Sequence, residues 1–222
     1  MTNLLRAFPS IFSDIIGFAA SVLVLILYHT FLYMKKRRNP FYTMQSVNRE
    51  ARSEWVEWVM ENENRAILAV QTLRNSTMSA TFLASTAVLL MMGTLTLTGQ
   101  AANISASWQA LNLGTTHPGW WVLKVMLLVI DFYIAFFSFA LSVRLFNHVG
   151  YQINLPESLR KGALSHEHVA RYMNRAGHYY SNGMRAYFFA VPLVFWLFGP
   201  HLMFVSALVL VAVLYNYDRM PG

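Results

Sequence analysis

The chain contains no cysteine. That absence excludes a disulfide framework, a thiolate metal site and a cysteine nucleophile. Acids are also scarce, ten Asp and Glu against seventeen Lys and Arg, and the formal net charge is +7. Five of the acids crowd into Glu50–Glu63, which leaves no paired-carboxylate signature elsewhere. A nucleophile motif and a Gly-rich phosphate loop are likewise missing. No Pro-rich, Ser-rich or repeated segment divides the 222 residues. Only 12% of residues are charged, too few to cover a soluble surface, while 56% are hydrophobic and fall in long blocks. One integral membrane domain over residues 1–222 follows. MTNLLRAFPS has a single Arg, and the apolar block after Pro9 exceeds a signal-peptide core, so it reads as the entry to a retained first span.

Four blocks are long enough to cross a hydrocarbon layer about 30 Å thick. They are about 11–34, 77–97, 120–143 and 186–217. Connections 35–76 and 144–185 hold most of the Lys and Arg, whereas Thr98–Gly119 holds neither. The positive-inside rule makes the basic connections cytoplasmic and puts the N-terminus outside. Trp108, Trp120 and Trp121 fit an outer aromatic belt, and Tyr33 and Tyr42 an inner one. Lys124, one turn from Trp120, is expected to snorkel to the outer headgroups. Gly199-Pro200 interrupts the last block, because proline offers no backbone N–H. The first arm, Ala186–Phe198, is short for a full span, which favours one broken helix ending outside. A reversal at Trp196–His201 is the alternative.

The cytoplasmic connections carry helical patterns. In SVNREARSEWVEWVMENENRA, Ala51, Trp55, Trp58, Val59 and Ala66 share a face opposite Glu50, Glu54, Glu57 and Glu61. That is an amphipathic helix suited to the interface. A second begins after Ser165, an N-cap residue type, with His168, Tyr172, Arg175 and Tyr179 as its stripe. In LAVQTLRNSTMSATFLAST, Gln71, Arg74 and Asn75 interrupt an apolar run. Thr77–Leu97 alone covers about 31 Å, so these three sit at the interface, expected to bond near Arg144, Asn147 and His148.

Asp131 lies near the centre of the third span, where a lone carboxylate costs a few kcal/mol. His201, at a similar depth if the last helix is continuous, is its candidate partner. Together with the Gly199-Pro200 break they suggest a midplane proton or ion site; a structural hydrogen bond from Asp131 is the simpler reading. His148, His166, His168 and His178 are weak metal or haem candidates, because His166-Glu167-His168 is not a recognised ligand spacing. Lys35, Lys36, Arg37 and Arg38 form a juxtamembrane run that attracts anionic headgroups and also sets orientation. The charges hug membrane ends, which argues against nucleic acid. Asn75-Ser-Thr77 and Asn103-Ile-Ser105 match a glycosylation pattern that is common by chance.

RSEWVEWV, LAVQTLRNSTMSATFLASTA, Tyr28-His29, SVRLFNH, GMRAYFFAVPLVFWLFGP and LYNYD together resemble the domain-of-unknown-function family numbered 599. The resemblance covers nearly the whole chain. It implies a small multi-pass membrane protein of a kind found in bacteria and plants, and it supplies no catalytic residues. The family's polar positions map onto Arg52, Gln71, Arg74, Asn75, Arg144, Asn147, His148 and Arg185, close to His29 on the cytoplasmic side.

The expected fold is an all-α membrane bundle of four spans, the last broken, with two cytoplasmic amphipathic helices, in the bacterial inner membrane. Three classes of function fit. The first is a non-catalytic structural or accessory component that self-associates or packs on a larger complex, with no cofactor and with lipids as partners. Small residues at Ser76, Ala80 and Ala84, beside Thr77, Thr81 and Ser85, suit close helix packing. The second is an oligomeric channel or transporter using Asp131, and the third a histidine-ligated metal or haem protein.

Overall fold

A computed structural model describes residues 2–100 and 118–219. Trp108 and Asn103, singled out above, lie outside these. Among the described residues there are six α-helices and no strand: α1 (Thr2–Arg38), α2 (Met44–Met60), α3 (Ala66–Gly99), α4 (Pro118–Ile153), α5 (His166–Phe198) and α6 (Pro200–Asp218). Four stretches have the length and apolarity to cross a membrane: Phe12–Arg38, Ala66–Gly99, Gly119–Ile153 and Pro200–Asp218. An all-α, multi-pass membrane architecture is therefore present.

Local chemistry explains where the helices stop. α1 ends in Lys35, Lys36, Arg37 and Arg38, cations that complement the negative end of the helix dipole. Asn39-Pro40 follows, and the residue before a proline is disfavoured in helix. Thr43 then caps α2, its side chain accepting from the Ser46 N–H at 3.3 Å. Ser165 precedes α5 as expected, although its hydroxyl meets His168 Nδ1 at 3.2 Å and makes no capping bond.

At 1.5 Å per residue, α3, α4 and α5 each run about 50 Å, well beyond a hydrocarbon layer of about 30 Å. Their surplus forms a second compartment with its own core. Val56, Val59 and Met60 of α2 pack there with Ala69 and Leu73 of α3. Phe146, Val149 and Ile153 of α4 and Val169, Met173 and Ala176 of α5 complete it. α2 thus docks on protein through Val56, Val59 and Met60. Trp58, placed on the apolar face by periodicity, is exposed and carries the Arg65 guanidinium 4.0 Å from its ring centroid. The buried face of α5 is also displaced from the expected stripe: Val169, Met173 and Ala176 are buried, while Tyr172 and Arg175 are exposed and His168 is half-buried.

In the apolar compartment α3 and α4 pack through small residues. Ala80, Ala84 and Ala87 are buried, with Ala84 and Ala87 clustered against Ala135, Phe139 and Ala186. The small-residue spacing seen in sequence serves contacts inside the chain, and Thr81 and Ser85 beside it remain exposed.

The last block breaks at Gly199, where φ is +147°. The expectation of one helix continuing outward is overturned. α6 folds back along α5 and α1, so that Asp218 at its end lies 4.0 Å from Arg185 near the middle of α5. Asp218 also accepts from the Tyr28 hydroxyl at 2.8 Å, and Arg219 bridges to Thr43. Residue 219 therefore lies at the basic end of the bundle, beside the start of α2. Ala186–Phe198 is short for a span only when its apolar length is counted by itself. α5 is a 33-residue helix whose polar half lies in the second compartment.

Candidate functional site

The most enclosed polar cluster lies at the end of the bundle opposite the basic one. Lys124 of α4 is 1% exposed, and its Nζ donates to Asp14 Oδ1 of α1 at 2.9 Å. It also donates to the Trp196 carbonyl at 3.2 Å. The Trp196 indole Nε1 donates to the same Asp14 oxygen at 3.3 Å. The indole stacks on Phe18 with centroids 4.8 Å apart and lies 5.1 Å below the Lys124 ammonium. Trp196 is in the last turn of α5, where its carbonyl also accepts from the Gly199 N–H at 3.2 Å and a cation is favoured. Lys124 therefore ties α1, α4 and the α5 terminus together. The expected snorkelling of Lys124 is corrected: a buried carboxylate is closer than the headgroups. Asp14 was not singled out by the sequence argument. The available signal was depth, since Asp14 and Lys124 each sit about one turn inside the outer ends of their spans.

Asp131 lies on α4 seven residues beyond Lys124, about 10 Å further along the axis. Its Oδ2 is buried and has no hydrogen-bond partner. His201 does not supply one. The reversal places it in the first turn of α6, exposed and next to the Lys124 end, so the expected Asp131–His201 pair is not formed. Lys124, Asp131 and Ser138 recur at seven-residue intervals, hence on nearly one helical face. Ser142 continues that line and donates to the Ala176 carbonyl at 2.9 Å.

The polar residues expected to gather at the basic end separate into distinct contacts. Arg185 and Tyr28 meet Asp218, as described. Arg52 donates through Nε to Asn174 Oδ1 at 3.0 Å, and Asn174 Nδ2 donates to Ser53 Oγ at 2.8 Å. Burial, and then the charge of Arg49, pull the Arg52 guanidinium below its ordinary pKa. Gly177 makes this docking possible, because a Cβ there would lie 2.6 Å from Arg52 Cζ. His29 bonds the Leu25 carbonyl through Nδ1 at 2.9 Å and packs beside Tyr28 and Phe189. Gln71, Arg74 and Asn75 are exposed and make no side-chain hydrogen bond to Arg144, Asn147 or His148. Arg144 and His148 instead line a cleft between α4 and α5.

The remaining histidines are apart. His166 borders a groove along α2, and His178 lies 3.5 Å from both Gln45 and Asn182. Among the described residues no three His, Cys, Asp or Glu lie close enough to hold a metal ion. Lys35, Lys36, Arg37 and Arg38 are exposed. Lys35 lies 5.8 Å from the Phe31 ring centroid and Arg37 the same distance from that of Tyr33. Their aliphatic stems therefore follow aromatic surface while the charges face outward.

A family described as "Protein of unknown function, DUF599" matches residues 16–221. No curated protein and no solved structure matches the chain.

Proposed function

The chain belongs to the DUF599 family, and from that premise we propose a non-catalytic membrane component that works by association, with copies of itself or as an accessory packed on a larger membrane complex. We place it in the bacterial inner membrane, its basic end cytoplasmic and Lys35–Arg38 among anionic headgroups.

The observation behind this reading is Asp131. The other acid of the apolar compartment, Asp14, is buried and neutralised inside the chain by Lys124. Asp131 keeps a buried oxygen with no donor, and it borders the outward side of α4, where Ile130 and Ile134 are exposed. An unpaired carboxyl in hydrocarbon is costly; Oδ2 is covered within the chain, so a donor from a neighbouring chain removes that cost once the Asp131 side chain turns outward to meet it. Native mass spectrometry of protein extracted in mild detergent tests the reading. Wild type is expected in assemblies. Asp131→Asn, which still hydrogen-bonds, should keep them, and Asp131→Leu should lose most of them. A monomer without companions, or assembly indifferent to Asp131→Leu, overturns it.

The line Lys124, Asp131, Ser138 favours a second reading, an oligomeric proton or ion path with Asp131 as its titrating group. Flux into liposomes that Asp131→Asn abolishes while assembly stays intact would select that reading. Absence of flux would remove it.

A further inference from the structure

The cleft between α4 and α5 at the basic end has a volume of about 310 Å³ and opens at the surface, where Arg144, His148 and Arg175 are exposed. Arg144 and His148 enter it from α4 one turn apart, and Arg175 enters from α5. No acid lines it, and neither arginine has a carboxylate within salt-bridge distance. The structure has only two ion pairs among its described residues, Lys124–Asp14 and Arg185–Asp218. Two guanidinium groups facing one cleft without a counter-charge repel each other, and an anion between them reverses that sign.

The hydrogen-bonding groups point the same way. Arg175 Nη2 donates to the Tyr179 hydroxyl at 3.4 Å, which leaves the tyrosine's own O–H free to donate into the cleft. Gln152 lies deeper, and its Oε1 is buried without a partner. Guanidinium and phenol donors around a space of this size match the oxygens of a tetrahedral anion, and guanidinium forks favour phosphate. The lining also has an aliphatic part, with Leu145 next to Arg144 and Leu141 one turn before it on α4, toward the apolar compartment.

We propose that this cleft binds a phosphate group, with Arg144 and Arg175 clamping its oxygens and His148 and Tyr179 completing the shell. The site goes beyond the association reading and is independent of Asp131. The phosphate can belong to an anionic phospholipid, whose chains would follow Leu141, or to a soluble phosphate ester.

The experiment compares wild type, Arg144→Gln/Arg175→Gln and the control Arg74→Gln/Arg171→Gln. The control removes the same charge from exposed positions outside the cleft. Each protein is purified in neutral detergent, and its uptake of phosphatidylglycerol and of phosphatidylcholine is read by native mass spectrometry. Glycerol phosphate then serves as soluble competitor, and its direct binding is followed by calorimetry. Two charge-assisted contacts are at stake, so the cleft variant should bind at least about tenfold more weakly, and the control less than about twofold. Uptake of phosphatidylglycerol unaffected by millimolar glycerol phosphate assigns the site to a lipid. Displacement by it, with measurable heat, assigns the site to a soluble ester. Equal losses in both double variants, equal uptake of the two lipids without glycerol phosphate binding, or no uptake of any of the three overturns the proposal. Circular dichroism and elution volume matching wild type show that the cleft variant is folded.

Discussion

At the residue scale the arrangement turns on how each charge inside the apolar compartment is met. Lys124 and Asp14 face one another at 2.9 Å, and the Trp196 carbonyl and indole take up further hydrogen-bonding capacity. A buried pair of this kind contributes little net stability over a well-packed apolar pair, because desolvation offsets the attraction. Removing one partner leaves the other charge stranded, at a cost of about 3–5 kcal/mol. Lys124→Met should therefore lower the melting temperature in detergent sharply, and Asp14→Leu similarly. Lys124→Met combined with Asp14→Leu should recover most of the loss. If the double variant melts no higher than the singles, the coupling is not between these two side chains. Lys124 was misread from sequence because an interfacial lysine has two ways to avoid hydrocarbon, and composition cannot choose between a headgroup and a carboxylate on another helix.

At the element scale the break between α5 and α6 decides the course of the chain. Gly199 has φ +147°, a conformation that side chains with a Cβ adopt only under strain of about 1–3 kcal/mol. Close by, Gly17 of α1 meets Pro200 so tightly that a Cβ would lie 2.6 Å from the proline Cβ. Gly199→Ala should lower the melting temperature in detergent. Gly93→Ala, in mid-helix with no other atom within 4 Å of the added Cβ, should leave it unchanged or raise it. Equal responses would mean that the turn conformation is not what Gly199 supplies. The break itself was legible in Gly-Pro, and so were the apolar lengths of α1, α3 and α4. The reversal was not, since it rests on Tyr28, Arg185 and Asp218 meeting across helices far apart in sequence. The polar cluster was half legible for the same reason. Arg144 and His148 were singled out, but their neighbours Arg175 and Tyr179 were assigned to a separate stripe, because spacing along one helix says nothing about which helix lies beside it.

At the scale of the whole molecule the reversal changes which ends share a side. Lys35–Arg38, the α2 head and the α6 terminus all lie at the basic end, with Arg219 bridging to Thr43. Gly99, at the end of α3, lies at the far end. The absence of native cysteine makes this directly measurable. Arg38→Cys, Asn216→Cys and Gly99→Cys each introduce one thiol: Arg38 and Asn216 are exposed, and Gly99 has open space around it. In sealed right-side-out vesicles a membrane-impermeant maleimide should modify Gly99→Cys and leave Arg38→Cys and Asn216→Cys intact. In inverted vesicles the pattern should exchange. The decisive comparison is Asn216→Cys against Arg38→Cys, which does not depend on which side is cytoplasmic. A last helix that crossed in one continuous span would make Asn216→Cys label with Gly99→Cys in both preparations, and that outcome would refute the hairpin. Joint protection of Arg38→Cys and Asn216→Cys in right-side-out vesicles would also place the phosphate cleft on the cytoplasmic face, where both anionic headgroups and soluble phosphate esters can reach it.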